Sequence, residues 1–282
     1  MPELPEVETI VRDLASRLAG RALRQPHLHK TDVLRGVSRR RLLRTLDGNR
    51  IADLTRRAKH LVFCLETGHR MVIQLRMTGS LLLHPRPLNR EARRYAVLEV
   101  QVRGAGRLVF RDVRRLGTIH LLDEAGWQAY TARIGDEPLD ADFDLARFRA
   151  RLHGSRQAVK KVLMDQRKLA GVGNIYANEA LFRAGVDPSR RVDRLRPAET
   201  ARLFVAVRQV LADAVAGRGT TVRDYRTGTG QPGTYQLALH VYGRDGEPCV
   251  RCGTRLATTH AIDGRATTFC WRCQGVRPDG VA

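Results

Sequence analysis

The chain has 282 residues, enough for two domains that each bury a core, and its 43% hydrophobic and 28% charged residues exclude a disordered polymer. A formal charge of +21 calls for a polyanionic partner, nucleic acid first, with acidic lipid or ribosomal RNA as the other readings. No apolar run approaches the roughly 18–20 residues that span a bilayer, and the early carboxylates lack the basic-then-apolar form of a secretion signal. A cytoplasmic location is therefore expected, which in a bacterium gives access to the nucleoid. Only Lys30, Lys59, Lys160, Lys161 and Lys168 are lysine, leaving 45 arginines. Arginine stays protonated whereas lysine can lose its proton, so the surviving lysines are the better candidates for chemistry.

In chain order, Pro2, Glu3, Pro5, Glu6 and Glu8 open a stretch whose apolar stripe at Val7, Ile10, Val11, Leu14 and Leu18 predicts an amphipathic helix stopped by Gly20. Early carboxylates suit the positive end of a helix dipole, and a well-started helix accounts for them. If Met1 is removed, however, Pro2 presents a secondary amine beside the Glu3 carboxyl. An α-amine with a reference pKa of about 7.7–8.0 is partly unprotonated and nucleophilic near neutral pH. The basic run Arg39-Arg40-Arg41 reads as a solvated face. Short apolar strands follow at 60–65, 71–75, 81–83, 95–102, 107–110 and 118–122, punctuated by glycines, which suggests a sandwich or flattened barrel; 83–87 marks a loop or a sheet edge. An acidic, proline-bearing linker spans 136–146. Helical periodicity then gives helices at 143–152, 159–164, 174–184 and 197–216, the last with Pro197 at its first position. Residues 217–235 form a Gly- and Thr-rich loop, functional or merely connecting.

The chain closes on Cys249-x2-Cys252 and Cys270-x2-Cys273, a spacing that favours one tetrahedral, structural Zn2+ over a pair of disulfides. Cys64 lies on an apolar strand and reads as an inert core thiol. Lys59, after Arg56-Arg57-Ala58, is a basic strand-edge residue or a functional one. Gly171-Val172-Gly173-Asn174 separates two helices, and tight turns with an Asn cap would expose helix N–H groups to a phosphate. Arg156, Lys160 and Lys161 nearby add phosphate contacts or are simply solvated.

The amino terminus, Arg57-Ala58-Lys59, the Gly171–Tyr176 stretch and the cysteine module together resemble the formamidopyrimidine-DNA glycosylase and endonuclease VIII family. The resemblance implies an α+β fold of two domains. One is an N-terminal β-sandwich with an amino-terminal helix, and the other a C-terminal helix–two-turn–helix domain with a zinc-ribbon β-hairpin. The divisions are 1–135 for the catalytic sandwich, 136–146 for the linker, 147–238 for the DNA-binding helices and 239–282 for the zinc finger. It further implies a monomer that clamps double-stranded DNA carrying damaged bases or abasic sites. Pro2 would attack C1′, Glu3 would protonate the sugar, and Lys59 and Arg265 would assist β,δ-elimination, with no redox or nucleotide cofactor. Met77 and Arg114 match the family's stack-filling residues. Leu116 stands in place of a phenylalanine, and Gln74 and Tyr95 in place of DNA-contacting histidines, which puts the opposite-base preference in question. The loop at 217–235 would close over an oxidised purine, its glycines admitting the base and Thr220 and Thr221 offering hydroxyls. The expected substrates are 8-oxoguanine and formamidopyrimidines. The alternatives are an endonuclease VIII-like enzyme for oxidised pyrimidines, or a non-catalytic zinc-ribbon nucleic-acid-binding protein.

Overall fold

A computed structural model of the chain describes residues 2–85, 88–221 and 225–276. The expected removal of Met1, residues 86–87 of the expected loop and residues 222–224 of the Gly-rich loop lie outside the described residues. The chain divides into two compact units, Met1–Arg133 with Gly217–Gln236, and Ile134–Ala216 with Leu237–Ala282.

In the first unit, helix α1 (Leu4–Leu18) starts where the carboxylates predict. Glu3 is its N-cap, Pro5 lies in its first turn, and the Glu6 carboxylate accepts the Glu3 N–H at 2.7 Å. This is a capping box built from two glutamates. The predicted stripe is buried along its length. Strands β1 (Leu23–Leu28), β2 (Ile51–Arg57), β3 (His60–Leu65), β4 (Arg70–Gln74) and β5 (Gly79–His84) follow, with helix α2 (Arg39–Leu46) between β1 and β2. A single turn α3 (Arg90–Arg93) precedes β6 (Ala96–Val102), β7 (Gly106–Asp112) and β8 (Thr118–Leu122), and helix α4 (Glu124–Thr131) ends the run. Two antiparallel four-stranded sheets result, in the orders β1-β6-β7-β5 and β2-β3-β4-β8. Their inner faces and the α1 stripe share one apolar cluster that includes Leu14, Phe63, Ile73, Val100 and Phe110.

The Arg39–Arg41 run is exposed, as its reading as a solvated face expects. It forms the exposed side of α2, which Ser38 caps by accepting the Arg41 N–H, while Leu42 and Leu46 enter the core.

The second unit holds α5 (Leu145–Leu152), α6 (Val159–Met164), α7 (Asn174–Ala184) and α8 (Pro197–Ala216), then the hairpin β9 (Ala257–Thr259) and β10 (Thr267–Phe269), and a last turn α9 (Trp271–Gln274). The acidic stretch before α5 is folded onto this unit. Asp136 binds Arg147 and Arg151, and Arg208 of α8 donates to the carbonyls of Pro138, Asp140 and Phe143. No described helix is long and apolar enough to cross a membrane.

Candidate active site and zinc module

Pro2 is buried and Glu3 is 2% exposed. Glu3 is held by Glu6, itself 1% exposed. One of its carboxylate oxygens takes the Glu3 N–H, and the other takes the Thr220 N–H at 2.7 Å. Charge-assisted bonds in a dry setting are strong, so this carboxylate pins the amino terminus and the Gly-rich loop to one point. Tyr225 reinforces the pin, its hydroxyl donating to the carbonyls of Glu6 and Arg218. Burial, then the neighbouring Glu6 charge, pushes the Tyr225 phenol well above its ordinary range. Arg218 reaches Asp13 of α1 through both carboxylate oxygens, at 2.8 and 3.0 Å.

Two of the loop glycines are also required for packing against the first helix. Gly219 has φ +79°, and a Cβ there would lie 2.9 Å from Glu6 Oε1. A Cβ on Gly228 would strike the Leu14 side chain at 2.7 Å. These glycines let the loop backbone lie directly on α1.

Lys59 is 7% exposed and occupies the two-residue turn of the β2–β3 hairpin, where Arg57 pairs with His60. Ala58 sits at φ +52°, a conformation that costs a residue with a Cβ about 1 kcal/mol or more and persists only when surroundings impose it. Two contacts impose it here. His60 Nδ1 donates to the Arg57 carbonyl at 3.0 Å, and Arg56 donates from Nη1 to the Ala58 carbonyl and from Nε to Glu8 of α1. Burial pushes the His60 imidazole down to about 4, so it is neutral and its Nδ1 carries the proton. Burial would raise the Glu8 carboxyl, but hydrogen bonds from Arg12 and Arg56 outweigh it and hold the group below its ordinary value.

Met77 and Leu116 are 51% and 46% exposed, and Val113, which sequence reasoning passed over, is 54% exposed. Apolar side chains left this open are what a stack-filling wedge requires. Their turns share a buried hub at Asp112, which is 1% exposed. One Asp112 oxygen accepts the Thr78 hydroxyl at 2.5 Å and the other the Gly117 N–H at 2.7 Å, while the Arg114 N–H reaches Thr78 Oγ1 at 3.1 Å. Tyr95 is half-buried against the Arg94 guanidinium, and its carbonyl accepts the Asp112 N–H. Gln74 ends β4 opposite His60.

In the second unit Gly173, not Asn174, is the N-cap of α7. The expected Asn cap is replaced because Asn174 is the first helical residue and its amide donates 3.0 Å across to the Ala266 carbonyl of the hairpin turn. Lys160 also departs from expectation, being fully buried rather than solvated or on phosphate. Its ammonium donates to Thr267 Oγ1 at 2.7 Å and lies 3.4 Å from Asp263. Lys160 and Asn174 thereby hold the turn that carries Arg265, which is exposed and has its N–H on Asp263. Arg156 and Lys161 are exposed. Glu179 of α7 is 1% exposed and accepts the N–H groups of His240, Val241 and Tyr242 at 2.8–2.9 Å, anchoring the entry to the cysteine module. A glutamate on a mostly apolar helix face was the available signal, but its partners lie about 60 residues away.

The Sγ atoms of Cys249, Cys252, Cys270 and Cys273 all lie within 4.8 Å of one another, with pairs at 3.4, 3.5 and 3.9 Å. Four thiolates at about 2.3 Å from a tetrahedral Zn2+ sit about 3.8 Å apart, so the cluster fits one ion. Backbone N–H groups of Arg251 and Cys273 point at the sulfurs of Cys249 and Cys270. Burial pushes the Cys270 and Cys273 thiols up, an opposition to ionisation that a dication at the centre removes. With four protein ligands the site is closed and structural. Cys64 on β3 is half-buried, and burial raises its thiol too, in keeping with an inert residue.

Three family models match the chain. They are the formamidopyrimidine-DNA glycosylase N-terminal domain at residues 1–119, the formamidopyrimidine-DNA glycosylase H2TH domain at 134–226, and the zinc finger found in FPG and IleRS at 246–276. The formamidopyrimidine-DNA glycosylase of Thermomicrobium roseum is 46% identical, over 97% of this chain and 99% of its own. A complex between wild-type Lactococcus lactis Fpg (MutM) and an N7-benzyl-Fapy-dG containing DNA superposes with a TM-score of 0.89 at 32% identity, covering 97% of this chain and 99% of that one. A complex between Lactococcus lactis Fpg and an abasic site containing DNA gives a TM-score of 0.88 at 32% identity, covering 96% and 99%.

Proposed function

Since this chain belongs to the formamidopyrimidine-DNA glycosylase family, we propose that it excises oxidised purines from DNA and then cleaves the strand, with Pro2, Glu3, Lys59 and Arg265 as its catalytic residues. The observation that carries the reading is the Glu6 carboxylate, which holds the Glu3 N–H at the start of α1, next to the buried Pro2, and joins it to the Gly-rich loop. Once Met1 is removed, the Pro2 nitrogen attacks C1′ of the extruded nucleotide while Glu3 gives a proton to the ring oxygen, and the C1′–base bond breaks. The product is an iminium, whose permanent charge draws electrons from C2′ and permits loss of the 3′ phosphate and then of the 5′ phosphate. Lys59 and Arg265 assist these departures, and a one-nucleotide gap remains.

On this reading residues 1–135 carry the nucleophile, 147–238 grip phosphate through Asn174 and Arg156, and 239–282 bring Arg265. Met77, Arg114 and Leu116 fill the vacated stack, Tyr95 flanks them, and the protein acts as a monomer at the nucleoid. The preference for 8-oxoguanine and formamidopyrimidines rests on the loop at 217–235, tied by Thr220 to the same carboxylate that holds the Glu3 N–H.

Borohydride added during reaction with abasic DNA should link protein to DNA, with peptide mass locating the adduct on Pro2. An adduct on Lys59 would overturn the nucleophile. Thymine glycol excised faster than 8-oxoguanine and formamidopyrimidine would move the protein to the endonuclease VIII reading, and no adduct on any DNA would leave a non-catalytic binding protein.

A further inference from the structure

We propose that a basic pocket beside the wedge is a second phosphate site, and that it takes a backbone phosphodiester of the DNA strand opposite the lesion. The proposal rests on the duplex-binding reading above. The pocket lies wholly within the first unit and has a volume of about 460 Å3. Its charged lining is Lys30, Asp32, Arg39 and Arg115, joined by Thr31, His27 and His29, the last bonded to Glu99 at 2.8 Å. Two arginines and a lysine thus face one carboxylate among the lining residues.

The fold places these residues deliberately close to the wedge. After β1 the chain runs alongside β8, where the Arg35 N–H donates to the Ile119 carbonyl and the Ile119 N–H to the Val33 carbonyl, both at 2.9 Å. This pairing brings residues 30–32 up to the turn that precedes β8. Arg115 stands in that turn, directly between Arg114 and Leu116, at φ +55°. Its guanidinium lies 3.2 Å from Asp32, with both side chains about half exposed. An ion pair so exposed contributes little, so an incoming phosphate can share Arg115 at small cost. Guanidinium and ammonium groups around a hydroxyl match a phosphodiester monoanion.

The strand assignment follows from reach. Arg115 is one residue, about 3.8 Å of chain, from two residues proposed to enter the base stack. Phosphates flanking the damaged nucleotide already have Lys59, Arg265 and Asn174 on the proposed reading. The other backbone within one side-chain length of the wedge belongs to the complement. Lys30 also gains a role here, as one of only five lysines in a chain that otherwise uses arginine.

The test uses the full chain and a duplex carrying a tetrahydrofuran abasic analogue. Replacing Lys30 and Arg39 together by alanine should lower the slope of log affinity against log salt by about 1–2. Asp32→Asn, which removes the one carboxylate among the described lining residues, should tighten duplex binding, an opposite sign that a folding defect cannot imitate. Neutral methylphosphonate linkages placed one at a time in the complement should reveal a position that weakens the unaltered protein and has no further effect on the double variant. Borohydride trapping on single-stranded abasic DNA should be the same for both proteins. An unchanged salt slope, sensitivity only to linkages in the lesion strand, or a pocket that holds inorganic phosphate yet ignores the complement would each overturn the assignment. Failure of the catalytic reading looks different, since the unaltered protein would then give no adduct at all.

Discussion

Substituting alanine at Gly219 isolates the contact that joins the loop to the amino terminus. Two costs add. A Cβ at φ +79° brings about 1–2 kcal/mol of backbone strain. The same Cβ would sit 2.9 Å from Glu6 Oε1 and 3.0 Å from Glu6 Cγ, an overlap worth about 1–3 kcal/mol if the neighbours give only in part. The alternative is for the loop to lift, forfeiting the charge-assisted bond from Thr220 to Glu6, which is worth about 1.5–3 kcal/mol. The first route sums to about 2–5 kcal/mol and the second to about 1.5–3 kcal/mol, a fall of about 3–20 °C in the melting temperature of a unit this size. Gly230 is the control: its φ is +87°, but a Cβ there meets nothing within 4 Å. Gly230→Ala should therefore cost the strain alone, about 1–2 kcal/mol. Thermal melts of both variants give the stability difference, and paired rates of 8-oxoguanine excision and abasic-site cleavage give the functional one. Gly219→Ala should lose excision more than abasic cleavage, and Gly230→Ala should lose little of either. Equal destabilisation by the two substitutions would refute the claim that Glu6 is what demands a glycine at 219.

Cys249→Ala should release the zinc in a metal assay and loosen the hairpin, weakening DNA binding before the first-unit core melts. Metal analysis finding no zinc in reducing, metal-sufficient preparations would sink the four-thiolate site. Lys160→Met should destabilise the second unit by about 3–5 kcal/mol by stranding the Asp263 carboxylate, yet leave the salt slope of DNA binding unaltered, because Lys160 is buried. Lys161→Met, at an exposed position, should show the reverse, a slope lower by about 1 with an unaltered melt. His60 is neutral when folded and titrates near 4 rather than 6.5, so the unfolded chain binds the extra proton first as pH falls. Its contribution is complete above about pH 6.5 and drains away toward pH 4, by roughly 3 kcal/mol. His60→Phe should flatten that limb of a stability-against-pH curve, and an unchanged limb would place the acid sensitivity elsewhere.

What the sequence by itself determined was whatever depends on near neighbours. The stripe from Val7 to Leu18, the helices at Val159–Met164, Asn174–Ala184 and Pro197–Ala216, and the paired CxxC turns are local periods or spacings, and they form where the pattern puts them. Strand β1 was not legible because it lies at a sheet edge, pairs on one side only, and so tolerates Pro26, a bulge and Gln25 at φ +47° without the alternation that marks a half-buried strand. Helix α2 hid for a related reason, since two buried leucines, with Leu43 packed beside them, suffice to dock eight residues of which four are arginine. Only the tertiary structure decided that the loop at 217–235 belongs with α1, through a bond between residues 214 positions apart. Burial of Lys160, the Asp112 hub and the three N–H groups on Glu179 are likewise its work. A buried polar group must find a partner wherever the fold supplies one, and that partner's distance along the chain leaves no mark on the local pattern.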